Sequence, residues 1–274
     1  NRAEDAAADV LVTSVLSQVL FFTNQGRVFT IKAYRLPESS RQAKGTPVIN
    51  FLDLRPNELV TTMVAARQMD DTKNLIMLTK KGIIKKTPLS AFNNIRKSGL
   101  IAVNLREDDE LVGVRRVETG DRIMIASAHG LSIMFDESQV RPMGRTAAGV
   151  KAINLALNDY VIGIDKYREK AWVLLVTENG YGKRTPVNEF KEQKRGGKGL
   201  KSIDILGKNG KLVAFQTVED GEELVLLTGE GQLIRLEVDD ISVQKRYSRG
   251  VLLMKLPPGD HIVGLAKFRV EKEE

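Results

Sequence analysis

Residues 172–186, WVLLVTENGYGKRTP, read as an apolar strand, a polar turn closed by Gly180, and a second strand that carries Lys183 and Arg184. The same phrase recurs along the chain. Its turns, TNQGR, TKKGI, SAHGL, TENGY and TGEGQ, place Gly26, Gly82, Gly130, Gly180 and Gly231 at equivalent positions, separated by steps of 56, 48, 50 and 51 residues. A second glycine series, Gly45, Gly99, Gly149, Gly199 and Gly250, precedes the alternating runs TPVINFL, LIAVNL, VKAINL, LKSIDIL and VLLMKL. A further strand ends each unit, as LVTTMVA, LVGVRRV, VIGIDKY, LVAFQTV and IVGLAKF. Four short strands per repeat, glycine turns at hairpin spacing and almost no 3.6-residue periodicity predict an all-β fold. One such unit cannot bury its face alone. The repeats, roughly 10–70, 71–120, 121–170, 171–221 and 222–270, are expected to form one domain. Its simplest closure is a propeller-like disc of about five or six four-stranded blades.

The 274-residue chain is 42% hydrophobic, which is ample for a packed core, and its formal charge of +7 permits a polyanionic partner without requiring one. It contains no cysteine, which excludes a disulfide framework and thiolate metal sites and fits a reducing, cytoplasmic compartment. The longest apolar stretch, Val10 to Phe22, is broken by Thr13, Ser14, Ser17 and Gln18, and is too short and too polar to span a bilayer. The opening NRAEDAAADV has neither an initiator Met nor the order of a secretory signal, so the chain reads as a fragment of a longer protein.

Because the unit repeats, a charge that recurs at one place in successive blades would line one rim. The loop before the second glycine is such a place. It carries Arg41 and Lys44, then Arg96 and Lys97, then Arg141 and Arg145, then Lys191, Lys194, Arg195 and Lys198, then Lys245, Arg246 and Arg249. A further set follows the hairpin glycine: Arg27 and Lys32, Lys85 and Lys86, Lys183 and Arg184, and Arg235, with the third repeat breaking the pattern as SIMFDES. Acidic residues gather elsewhere, in REDDE and VEDGEE. Single basic loops keep turns soluble, but five in register offer a curved positive track. Phosphates recur every ~1.7 Å along a duplex axis, so bent DNA can follow such a track, read by backbone and deformability rather than by sequence. The densest loop is QKRGGKG, Gln193 to Gly199. There Gly196, Gly197 and Gly199 remove side chains that would hold a phosphate away, and leave N–H groups to join Lys194, Arg195 and Lys198 around it.

No catalytic constellation accompanies these loops. His129 and His261 lie in different repeats, which leaves no zinc site and no paired nucleophile, and Asp108 and Asp109 are neighbours in a charged turn. GYGKRT at 180–185 lacks the first glycine of a phosphate loop and runs into Pro186 where a helix should start. Aromatic residues total 5% and do not recur in the basic loops, which favours duplex over single strands.

QKRGGKG resembles the glycine-rich basic box, QRRGGRG or QRRGGKG, of the C-terminal domain of the DNA gyrase A protein. GRVFTIKAYRLPE, SRQAKGTPVINFL, GIIKKTPLSAFN, VRPMGRTAAGVKAI, NGYGKRTPVNEF and SRGVLLMKL are similar to phrases of the same family, in the family's order, over nearly the whole chain. The resemblance implies a β-pinwheel, with strands exchanged between neighbouring blades, that wraps or bends duplex DNA around a basic rim. It also implies a bacterial cytoplasmic, nucleoid-associated setting. Its partners would be the remainder of gyrase A, together with gyrase B, in an A2B2 heterotetramer that introduces negative supercoils. ATP and Mg act on other parts of that assembly, so this domain carries no cofactor and no metal. The cleaving tyrosine lies in another region and is none of Tyr34, Tyr160, Tyr167, Tyr181 or Tyr247. In typical relatives the box lies in the first blade, whereas here the best match is in the fourth repeat, and SSRQAKG in the first is a poor one. Either a further blade with its own box precedes Asn1, or a first box is absent. The alternatives are a topoisomerase IV-like domain that bends DNA without chiral wrapping, and a propeller that docks proteins.

Overall fold

The computed structural model describes residues 18–36, 48–66 and 72–269. Its regular structure consists of β-strands and short 3-10 turns. In the fourth repeat, Trp172–Thr177 pairs antiparallel with Tyr181–Pro186, from Trp172 opposite Pro186 to Val176 opposite Gly182. Two residues close the turn. Gly180, at φ +90°, donates its N–H to the Thr177 carbonyl (3.1 Å), and the Thr177 hydroxyl accepts from the Tyr181 N–H (3.3 Å). Thr23, Thr79, Ser127 and Thr228 accept in the same way from Arg27, Ile83, Leu131 and Gln232. All five hydroxyl residues are buried, so the turn signature satisfies a backbone donor with a side chain held inside the fold.

The apolar run of each first strand is buried on both faces, which is why it reads as continuous rather than alternating. Val173 and Leu175 pack with Met124, Phe190 and Phe215, while Leu174 and Val176 pack with Leu224, Val238 and Ile262. Each such side chain contributes about 1.5–3 kcal/mol by leaving water.

The chain divides into two compact units. The unit of residues 11–118 and 140–150 holds a sheet ordered Val60–Ala66, Gln18–Thr23, Arg27–Lys32, Leu100–Ile101. It also builds the sheet ordered Val150–Lys151, Ile83–Pro88, Asn74–Thr79, Leu111–Val117. The unit of residues 119–139 and 151–274 holds Val161–Lys166, Arg122–Ser127, Leu131–Asp136, Leu200–Lys201 and then Leu212–Val218, Trp172–Thr177, Tyr181–Pro186, Val251–Leu252. Its last sheet is three-stranded among the described residues: Leu233–Glu237, Glu222–Thr228, Ile262–Arg269.

The all-β expectation holds, with one change in the fourth strand. Each repeat forms three strands of its own, and repeats two to five each lend a two-residue strand to the sheet before, so Leu200–Lys201 pairs with Ser132 and Leu131, and Val251–Leu252 with Gly182 and Tyr181. The apolar runs after the second glycine do not continue as strands, because the chain turns over the hairpin glycine of the preceding repeat. Ser202 donates to the Gly130 carbonyl and Leu253 to that of Gly180, both at 2.8 Å. A Cβ on Gly180 would lie 2.5 Å from the Met254 carbonyl oxygen, so this glycine serves the exchanged strand as well as its own turn. In the first repeat the described part of the run, Val48–Phe51, is a 3-10 turn.

Candidate nucleic-acid interface

Strand exchange lays the basic loops of repeats two to five on the hairpin of the preceding repeat, and this sorts the cations into three groups. The first group lies beneath the loops. Lys183 is 0% and Lys85 1% exposed. The Lys183 ammonium donates to the Lys245 and Arg246 carbonyls (2.7 and 2.8 Å), and that of Lys85 to the Ala102, Gly144 and Arg145 carbonyls (2.5, 3.1 and 2.6 Å). Burial brings the Lys85 pKa down to about 8, helped by the nearby Arg145. Burial does the same for Lys183, to about 8, against the pull of Glu189 and with Arg246 and Lys201 adding to the fall. These two lysines, expected on a rim, instead donate inward to carbonyl oxygens of the next repeat's loop and, for Lys85, to that of Ala102 in its own repeat. Lys86 is also buried, and its carbonyl accepts from the Met143 N–H (2.7 Å). Arg184 is half-buried over the Trp172 ring (4.7 Å). It donates to the Ile241 and Asp239 carbonyls and pairs with Asp220 (3.4 Å). Lys85, Lys86, Lys183 and Arg184 of the set that follows the hairpin glycine are therefore structural, while Lys32 and Arg235 of the same set are exposed.

The second group ties loops sideways. Arg145, Arg195 and Arg246 occupy one position, four residues before the second glycine. Each donates from its guanidinium to a backbone carbonyl on the preceding exchanged strand: Ile101 (3.0 Å), Lys151 (2.7 Å) and Lys201 (2.5 Å) respectively.

The third group is exposed. It comprises Arg96, Lys97, Arg141, Lys194, Lys198, Lys245 and Arg249, of which Arg249 pairs with Asp204 at 3.1 Å. Lys151 and Lys201, exposed on the exchanged strands, belong with them, although the basic-loop pattern does not include them. Their signal is position, since both stand two residues past the second glycine. Arg41 and Lys44 lie outside the described residues.

The glycines of QKRGGKG divide too. A Cβ on Gly199, at φ +83°, would lie 2.7 Å from the Ser132 carbonyl oxygen, so this glycine lets the loop rest on the strand rather than admit a phosphate. Gly197 sits over Ile133. Gly196, at φ +83°, donates its N–H to the Ala152 carbonyl (2.8 Å), and Gln193 donates its own to Met134 (2.7 Å). Those amides hold the loop in place, leaving Lys194 and Lys198 as the cations it presents.

Repeats that lend strands backward and carry basic loops at one register define a strand-exchanged β-propeller with a cationic loop surface. The chain belongs to the family described as the DNA gyrase C-terminal domain, beta-propeller, which matches residues 17–67, 73–118, 121–167, 171–219 and 222–269. The DNA gyrase A protein of Staphylococcus epidermidis is 45% identical over 273 residues, and that of Staphylococcus aureus 43% over 274. These stretches are 98% and 99% of this chain but 31% of either relative, so the chain spans about a third of their length. Among solved structures, the C-terminal domain of DNA topoisomerase IV superposes with a TM-score of 0.85 at 23% identity, covering 94% of this chain and 80% of that one. A DNA gyrase A C-terminal domain gives 0.80 at 24%, covering 93% and 84%. At those identities the likeness is one of fold.

Proposed function

We propose that this chain binds duplex DNA irrespective of sequence and bends or wraps it along its exposed loop cations, as the C-terminal domain of a gyrase A protein. The observation that supports this most is the separation of charge by depth. Lysines at the inner position hold loop backbones, arginines at the middle position tie loops sideways, and the cations left over recur at the surface. Such a surface neutralises phosphates without reading bases. In this role the domain breaks no bond itself. Strand passage and ATP hydrolysis fall to the remainder of gyrase A, together with gyrase B, in an A2B2 assembly in the bacterial cytoplasm.

The test is to bind the purified chain to a nicked circular plasmid, seal the nick, remove the protein and measure the linking number. A positive shift that grows with protein supports chiral wrapping. Duplex binding without a shift would reduce the role to bending, as in the topoisomerase IV alternative. In parallel, neutralisation of six phosphates gives a log–log salt slope of about −5. No affinity for duplex at low salt would sink the DNA reading and leave a protein-docking propeller.

A further inference from the structure

We infer that Arg195 and Arg246 are positioning residues that set the path of the bound duplex by holding consecutive basic loops at a fixed offset, rather than grips on phosphate. This rests on the DNA-binding role proposed above.

Arg195 is half-buried and anchored three ways. Its backbone N–H donates to the Gln139 side-chain oxygen (2.8 Å), its Nε to the Gln139 carbonyl (2.9 Å), and a terminal guanidinium nitrogen to the Lys151 carbonyl (2.7 Å). One repeat later the arrangement recurs. The Arg246 N–H donates to Glu189 Oε1 (3.2 Å) and its guanidinium to the Lys201 carbonyl (2.5 Å). Gln139 and Glu189 end equivalent 3-10 turns, Glu137–Gln139 and Val187–Glu189. In the other unit, Arg145 reaches the Ile101 carbonyl at the same register. Recurrence at three loops marks a device of the repeat rather than a chance contact.

The acceptors explain what the device does. Lys151 and Lys201 are the second residues of exchanged strands, and their own side chains are exposed. Each guanidinium therefore fixes one loop's surface lysines relative to the next: Lys194 and Lys198 against Lys151, and Lys245 against Lys201. Phosphates recur every ~1.7 Å of duplex axis, so a slip of a few ångströms changes which phosphates the lysines meet. A planar fork holds its donors along fixed directions, whereas an ammonium at the same place keeps the charge but not that geometry.

The charge-conserving double variant Arg195→Lys/Arg246→Lys separates geometry from charge. In the DNA-free chain, amide exchange at Gln193 and Gly196 is expected to quicken about tenfold, the loss of one anchoring hydrogen bond. With a short linear duplex labelled at both ends, and protein saturating so that affinity drops out, the rise in end-to-end energy transfer is expected to fall about twofold. Gln139→Ala removes an acceptor without touching a cation, and should quicken exchange in loop four alone. Unchanged exchange in both variants would overturn the tether. Faster exchange with the parent's energy transfer would overturn the path-setting role. A parent chain that leaves the duplex straight would overturn the DNA reading and the path with it, while the exchange data would still decide whether the arginines are tethers.

Discussion

The loops of repeats four and five dock in one register but on different floors. Gly199 lies on the Ser132 backbone and Gly250 on that of Gly182, each followed by a two-residue exchanged strand. Both loops close the same inner turn, from Gly197 to the Lys194 carbonyl (3.4 Å) and from Ser248 to the Lys245 carbonyl (3.1 Å). Under loop five stands Lys183, whose ammonium satisfies two of its carbonyls. At the same place under loop four stands Ile133, with Gly197 above it, and the holding bonds come from the side, through Gln139. Lateral ties serve both loops, so one backbone path can stand on a buried charge or on an apolar floor. Either floor leaves loop cations at the surface, Lys194 and Lys198 over one and Lys245 and Arg249 over the other, where a polyanion can meet them.

The largest expected effect breaks what the two loops share. Alanine at Gly199 or Gly250 places a Cβ 2.7 or 2.5 Å from a backbone oxygen, at φ +83° or +84°. Each should cost about 3 kcal/mol or more, read from urea midpoints, since neither backbone can yield. A tolerated Gly199→Ala would mean that loop four does not dock as loop five does. Next is the floor itself. Lys183→Met strips two part-buried carbonyls of their donor and should cost about 2 kcal/mol, whereas Ile133→Met, an apolar exchange of similar volume, should cost under about 1 kcal/mol. Equal losses would erase the distinction between the floors.

At the surface, Lys194→Ala/Lys198→Ala is expected to weaken duplex binding about tenfold at moderate salt and to make the salt slope shallower by about 1.8. Lys245→Ala/Arg249→Ala should do less, about threefold, because Arg249 already pairs with Asp204. If the order of the two pairs reverses, loop five is the stronger grip.

A pH dependence is confined to the charged floors. Lys85 and Lys183 fall from 10.5 to about 8 on folding. Between those values the unfolded chain holds more protons than the folded one, so folding gains stability as pH rises; below about pH 8 the burial penalty is present in full. Urea midpoints of the parent, taken relative to Lys85→Met/Lys183→Met, should therefore rise from pH 8 upward. A difference that stays flat to pH 10 would show that these ammonium groups are not desolvated.

Much of this was legible in the repeats. The glycine turns, the strands around them and the cations in register follow from local chemistry, and the family resemblance rested on the same phrases. The inward direction of Lys85 and Lys183 was not read from the basic pattern, which set both on the rim. The equivalent positions are Phe29, Ile133 and Ile234, so the site faces a core. The guanidinium ties were not legible, because Arg195 and its acceptor Lys151 are 44 residues apart and no pattern within a repeat joins them. The fourth strand was visible as a run of residues, and its exchange with a neighbouring blade was implied by the family resemblance rather than by the run itself.

The amino-acid sequence by itself determined the repeating hairpins and the supply of cations, because turn closure, glycine φ and strand burial act over a few residues. Only the tertiary structure decided which cations work inside and which remain at the surface. Strand exchange brings Lys183 under a loop 62 residues away, and an ammonium's role depends on the carbonyls or the water it meets there.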